Sequence, residues 1–235
     1  MVPSSNTTME TELPQLLASV PESRFSFHSA RMRMQRVTSE ELERMNEQNS
    51  RAAGELADLR PDVVATACLV AIMAQGPGSH LRIEREIRQS LDREGSDAPV
   101  ISSAGALIWA LNRIGAKRVA IVTPYMKPLT KTVADYIEDA GVEVHDALSL
   151  EVADNRAVGT LDPSDLRRHW RSLDVAECDA IVISACVQMP SFESIAAVEQ
   201  ESGLPTISAA SATAAALLDV LGRRQPTSAT STWSH

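Results

Sequence analysis

Hydrophobic positions along the chain fall into short continuous runs separated by longer stretches of helical periodicity, the alternation of parallel strands joined by crossover helices. Two of these runs share one grammar. Pro61-Asp62-Val63-Val64-Ala65-Thr66-Ala67-Cys68-Leu69-Val70 and Cys178-Asp179-Ala180-Ile181-Val182-Ile183-Ser184-Ala185-Cys186-Val187 each pass from an acidic residue through an apolar stretch to Ala-Cys. Apolar runs of this length suit strands buried on both faces of a parallel sheet. Each cysteine is then expected at the C-terminal edge of its strand, where open α/β sheets bind ligands.

Around these runs the pattern predicts a short first strand ending at Val2-Pro3, a helix from Met9 to Val20, and a strand over Phe25 to Ala30. Thr38-Ser39-Glu40-Glu41 resembles a capping box opening a helix that reaches about Leu59. Beyond Gly76-Pro77-Gly78 come a charged helix from Leu81 to Arg93, the strand Pro99-Val100-Ile101-Ser102, and a helix from Ala104 to Ile114 closed by Gly115. The second half repeats the plan, with strands at Val119 to Val122, Val142 to His145 and Ala180 to Ser184. Its helices run from Leu129 to Ala140, from Asp162-Pro163 onward, and from about Ser191 to Ser202. Pro205-Thr206-Ile207-Ser208 and an Ala/Leu-rich helix to Gly222 then echo Pro99-Val100-Ile101-Ser102 and its helix.

This self-similarity predicts an α/β fold of two pseudo-symmetric lobes, each a four-stranded parallel sheet flanked by helices, with the active site between them. Residues 1–102 plus 208–222 are expected to form the lobe carrying Cys68, and 103–207 the lobe carrying Cys186. The polar tail 223–235 is expected to be disordered.

Composition narrows the function classes. A net charge of −9, with no cluster of Lys or Arg, argues against a nucleic-acid surface. No apolar run approaches membrane-spanning length, and the first residues lack the pattern of a secretory signal. Three cysteines without paired spacing point to a reduced, cytoplasmic setting rather than a disulfide framework, and they fit no zinc spacing. Gly76-Pro77-Gly78 lacks the Lys-Ser/Thr of a phosphate loop and the glycine spacing of a dinucleotide site. None of these spacings signals a metal or a nucleotide cofactor. The apolar helices make a homodimer plausible.

A single unpaired cysteine beside a strand is most often a small buried hydrophobe, but recurrence at matching places in two halves favours chemistry. Facing lobes would bring Cys68 and Cys186 to one ligand from opposite sides. Each cysteine opens a segment leading into a helix. Backbone N–H groups of Leu69, Val70, Val187 and Gln188 are accordingly expected to hold a carboxylate and to lower the thiol pKa. Asn6, with Ser4 and Ser5, follows the first strand, and Tyr125 in Thr123-Pro124-Tyr125 occupies the equivalent place in the second half. Asn and Ser also commonly cap helices, which is the plainer reading of the first loop. Cys178, on the entering side of its strand, is expected to be inert. His28, His80, His145 and His169 show no ligand spacing, and Arg31 and Arg33 suit a solvated strand edge. Gly76 to His80 and Asn155 to Leu161, both glycine-bearing, are candidate lids.

Val2-Pro3-Ser4-Ser5-Asn6-Thr7-Thr8-Met9-Glu10, Ala67-Cys68-Leu69-Val70-Ala71, Thr123-Pro124-Tyr125, Asp154-Asn155 and Ser184-Ala185-Cys186-Val187-Gln188-Met189-Pro190 together resemble the Asp/Glu racemase superfamily. Within it, the chain is similar to the maleate cis-trans isomerases. The resemblance implies a cofactor-free isomerase in which Asn6, Tyr125 and Asn155 bind the substrate carboxylates between the two cysteines. Asn155 enters through the resemblance alone, and so does the assignment of Cys68 as nucleophile and Cys186 as acid and base. Maleate is the implied substrate and nicotinate breakdown the implied pathway. The competing readings are a two-cysteine amino-acid or hydantoin racemase, an arylmalonate-type decarboxylase, in which only the second cysteine is kept, and a non-catalytic dicarboxylate-binding module.

Overall fold

Strand follows helix throughout the computed structural model, which describes residues 1–18, 20 and 23–223. The first half runs β1 (Val2–Pro3), α1 (Met9–Leu17), β2 (Arg31–Met32), α2 (Ser39–Asn46), α3 (Asn49–Ala57), β3 (Val64–Thr66), α4 (Leu69–Met73), α5 (Ser79–Arg93) and β4 (Val100–Ser102). The second runs α6 (Ser103–Arg113), β5 (Arg118–Thr123), α7 (Lys127–Asp139), β6 (Glu143–Ser149), α8 (Asn155–Val158), α9 (Leu166–His169), β7 (Ala180–Ser184), α10 (Phe192–Ser202), β8 (Thr206–Ser208) and α11 (Ala209–Val220).

The second sheet is parallel throughout, in the order β6-β5-β7-β8. In the first half β1 pairs with β2 and β3 with β4, again in parallel. Met1 joins the two pairs, its nitrogen donating to the Ala65 carbonyl (2.7 Å) and its carbonyl accepting from the Ala67 N–H (2.8 Å). The resulting order β2-β1-β3-β4 matches the second sheet strand for strand, so the duplication read from the sequence is present in the topology. Burial follows position: β7 is buried along its length, whereas the edge strand β6 alternates between exposed and half-buried residues.

The two echoing tetrapeptides do the same local work. Ser102 ends β4 and caps α6, its hydroxyl accepting from the Gly105 N–H (2.9 Å). Ser208 ends β8 and caps α11, exchanging bonds with Ser211 in a capping box. The helix α11 is buried from Ala209 to Leu218, with no polar face along that length. It leaves the second sheet to pack against α6, α1 and β4.

Several boundaries differ from expectation. The strand placed at Phe25 to Ala30 lies instead at Arg31–Met32, because the two residues of β1 pair there, Val2 with Arg31 and Pro3 with Met32. Phe25 and Phe27 pack on each other with ring centroids 6.4 Å apart. The helix expected to reach Leu59 breaks between α2 and α3. There Gln48 turns its amide to the backbone of Arg33, accepting from its N–H (2.8 Å) and donating to its carbonyl (3.2 Å), as a neighbouring strand would. Asp162 caps a single 3₁₀ turn, Pro163–Asp165, ahead of the short α9. Of the tail expected to be disordered, residues 224–235 lie outside the described residues.

Candidate active site

Four strand ends define the site: β1 delivers Ser4 to Asn6, β3 delivers Cys68, β5 delivers Tyr125 and β7 delivers Cys186. All four strands are parallel to their partners, with β5 and β7 central in the second sheet and β1 and β3 adjoining through Met1, so these ends project from C-terminal edges as the two Ala-Cys runs predicted. Cys68, Cys186, Tyr125, Asn6 and Asn155 are each no more than 6% exposed.

The structure brings the two cysteines and Tyr125 within electrostatic reach of one another. Burial pushes the Cys68 thiol up to about 12, the Ala71 N–H pulls against it, and charge on Cys186 pushes it further up. Cys186 is also raised by burial, opposed by the Tyr125 hydroxyl and the N–H groups of Gln188 and Met189. The Gln188 N–H lies 3.3 Å from the Cys186 sulfur. Tyr125 is held well above the usual phenol range, by burial first and then by the two sulfurs.

These directions correct two expectations. The thiols are not acidified by their helix starts, because removal from water outweighs the N–H groups that face them. At Cys68 the helpful donor is Ala71 rather than Leu69 or Val70, since the N–H three residues into a helix is one that turns back toward the N-cap position Cys68 occupies. A pH dependence follows. Alkylation of Cys68 by iodoacetamide is expected to rise about tenfold per pH unit from about pH 7 to about pH 10 without levelling. A plateau near neutrality in a mass-spectrometric time course would show an acidic thiol instead.

Asn6 makes the capping contact that its type suggests and reaches across to the second half. Its Oδ1 accepts from the Met9 N–H (3.0 Å) at the start of α1, and its Nδ2 donates to the Val187 carbonyl (3.2 Å) beside Cys186. Asn155 donates from Nδ2 to the Ser5 hydroxyl (2.7 Å). The Gln188 side chain ties these parts together, donating from Nε2 to the carbonyls of Ser5 (3.0 Å) and Asn155 (2.9 Å) while its Oε1 accepts from the Thr7 N–H (3.1 Å). Thr8 completes the joint through its hydroxyl to the Gln188 carbonyl (2.6 Å).

Arg31 is more than a solvated edge. Its guanidinium donates to the carbonyls of Ser4 (2.9 Å) and Asn6 (3.0 Å) and pairs with Glu10, stapling the loop that presents Asn6. Thr7 and Thr8 were missed as parts of the site, and Arg31 was set aside, because their partners lie far away in sequence and no local spacing signals such contacts. His80 faces the Tyr136 hydroxyl, away from this cluster, and Cys178 lies at the opposite end of β7.

A cleft of about 1170 Å³ opens on the outer side of this wall, lined by Ser5, Thr7, Arg36, Asp154, Arg156 and Thr160 among others. Ser5, the partner of Asn155, lies on its lining, and neither cysteine of the pair does. One antiparallel bridge, Arg36 to Asp154, joins its two sides. Glycines mark both of the expected lids. Gly76 and Gly78 take positive φ in a turn, whereas Gly159 has an ordinary φ of −70° and stands against Gln188 and Thr7.

Comparison with known proteins identifies the family and agrees with the fold. The family model described as arylmalonate decarboxylase matches residues 1–233. A maleate isomerase from Geobacillus stearothermophilus is 52% identical, covering 94% of this chain and 90% of the relative. The solved maleate isomerase Iso from Pseudomonas putida S16, a cysteine-to-alanine variant with maleate, superposes with a TM-score of 0.93 at 51% identity, covering 94% of this chain and 90% of that one. A cysteine-to-serine variant of the Nocardia farcinica maleate cis-trans isomerase, with a covalently bound succinylcysteine intermediate, superposes at 0.92 with 49% identity over 94% and 90% of the two chains. In sequence and in structure, the chain belongs to the arylmalonate decarboxylase family and, within it, to the maleate isomerases.

Proposed function

We propose that this protein converts maleate to fumarate without a cofactor, through a succinyl-type bond to Cys68. The observation that carries the reading is a pair of buried thiols on opposing strand ends, in a chain about half identical to enzymes of that name. The succinylcysteine in the Nocardia variant, itself short of one cysteine, supports attachment through a single thiol.

Rotation about a carbon–carbon double bond is prohibitive, so the bond must briefly become single. The Cys68 thiolate adds to one alkene carbon and the displaced electron pair moves toward the other carbon and its carboxylate. Cys186 gives that carbon a proton and becomes the thiolate. After rotation about the new single bond, Cys186 takes a proton back, the carbon–sulfur bond breaks, and fumarate leaves with Cys68 again ionised. Asn6 and Asn155 each spend one amide hydrogen within the protein, and the second is available to a carboxylate. The Tyr125 hydroxyl and the N–H groups near Leu69, Val70, Val187 and Gln188 complete the set of donors. Their value lies in charge that builds only after addition.

The same reading takes residues 1–102 with 208–222, and 103–207, as the two lobes. It places a homodimer in the reducing cytoplasm, serving nicotinate breakdown. No described helix is long and apolar enough to cross a membrane. The direct test is proton NMR of maleate incubated with the protein and nothing else. Growth of the fumarate vinyl signal is expected. Unchanged maleate, with racemisation of an amino acid or hydantoin instead, would overturn the proposal in favour of the racemase.

A further inference from the structure

We infer that Glu12 is a positioning residue for Cys186, acting by capping α10 from another helix. The inference deepens the isomerase reading and rests on it for the role of Cys186. Glu12 lies on α1 and is 6% exposed. Its Oε1 accepts from the N–H groups of Ser191 and Phe192 (2.8 Å for the latter), and its Oε2 accepts from the Ser191 hydroxyl (3.2 Å). Ser191, at the N-cap of α10, makes no capping bond with its own side chain. Glu12 supplies from outside the acceptor that a capping serine or aspartate normally supplies from within.

A buried carboxylate with no cationic partner among the described residues is costly, and a hydroxyl cap would serve α10 alone at less expense. What the carboxylate adds is a tie between elements. The segment from Cys186 to Phe192 is held along its length by one stretch of chain: Asn6 at the Val187 carbonyl, Thr7 and Thr8 at Gln188, and Glu12 at Ser191 and Phe192. Glu12 is the far anchor of this clasp. With it in place, the Cys186 sulfur and the Asn6 amide keep one geometry. Proton transfer requires that, since a displacement of about 1 Å can cost on the order of 10²-fold in rate.

The test is Glu12→Met, whose side chain is of similar length and offers no comparable acceptor to the two N–H groups or to the Ser191 hydroxyl. Turnover of maleate is expected to fall about tenfold with KM within about twofold, because the proton step suffers and binding does not. Acid-quenched samples should carry more maleate adduct on Cys68 during turnover. Iodoacetamide labelling of Cys186 should rise while labelling of Cys68 stays as in wild type. Should this variant fail to fold, Ser191→Ala, which removes one of the three bonds, is expected to shift the same readouts about twofold. Wild-type kcat with unchanged Cys186 labelling overturns the inference, and so does a uniform rise in labelling of both cysteines. If the wild-type protein makes no fumarate, the isomerase reading fails, and the Cys186 labelling still decides whether Glu12 fixes that loop.

Discussion

Cys68→Ala is expected to form no adduct with maleate and to lose fumarate production by about 10⁴-fold or more, whereas Cys186→Ala should form the adduct and release it only slowly. The asymmetry follows from the two steps. Without Cys68 nothing bonds to the alkene carbon, so the double bond never becomes single. Without Cys186 the addition still occurs, but solvent must supply the proton, and no base then stands where the proton must be removed. General acid–base assistance is worth about 10²- to 10⁴-fold, so turnover of Cys186→Ala should fall in that range. Intact protein heavier by one maleic acid should accumulate. The electrostatics add a second signature: charge on Cys186 raises the Cys68 pKa, so its removal should make Cys68 alkylate faster at alkaline pH, where Cys186 would be ionised. An adduct that persists in Cys68→Ala and vanishes in Cys186→Ala would exchange the two roles.

The surroundings of the two thiols are unequal. Three donors face Cys186, from Tyr125, Gln188 and Met189, against one from Ala71 at Cys68. A thiolate is therefore better supported at Cys186, the state in which that residue waits after giving up its proton. Cys68 is left a poorly solvated thiolate, which is the more reactive nucleophile when it forms.

What the sequence revealed and what it hid divide along a physical line. The strand end at Cys186 was legible because a doubly buried strand forces a continuous apolar run that marks where the strand stops, and the end at Cys68 because its run shares that grammar, although Ala65 in β3 is half-buried. Ser102 and Ser208 were legible as an echo because capping is local, settled within three residues. The break at Glu47-Gln48 was hidden, since its cause is the Gln48 amide pairing with Arg33, a residue on a different element. The true position of β2 was hidden for the same reason, because a two-residue strand takes its register from its partner and not from its own alternation. Most of all, Gln188 was expected to act through its backbone N–H, and it does face Cys186. Its side chain, which joins Ser5, Thr7 and Asn155, leaves no trace in any spacing. Asn155 itself, an unremarkable turn residue by spacing, was reached only through resemblance, and the structure sets it one hydrogen bond from the loop that carries Asn6.

Gly159→Ala is expected to disable the site while leaving the fold standing. The added Cβ would lie 2.4 Å from Gln188 Nε2, 3.1 Å from Gln188 Cδ and 3.1 Å from Thr7 Oγ1, the first of these closer than real contacts allow. Gly159 closes α8 with an ordinary φ of −70°, so an alanine costs nothing in backbone conformation, and the whole effect is the space it takes. The end of an exposed glutamine would simply swing away. Gln188 is 3% exposed, and moving its amide breaks the bonds to Ser5 and Asn155 and the acceptor for Thr7 at once. The overpacking should cost about 1 to 3 kcal/mol of stability, and kcat/KM should fall by about 10²-fold as Asn6 and Asn155 lose their common brace. Adding Gln188→Ala separates the two effects. The double variant has room for the new methyl group, so its thermal midpoint should recover relative to Gly159→Ala, yet activity should stay low because the brace is absent in both. Recovery of activity along with stability would mean that the clash alone did the damage and that Gln188 holds nothing the reaction needs.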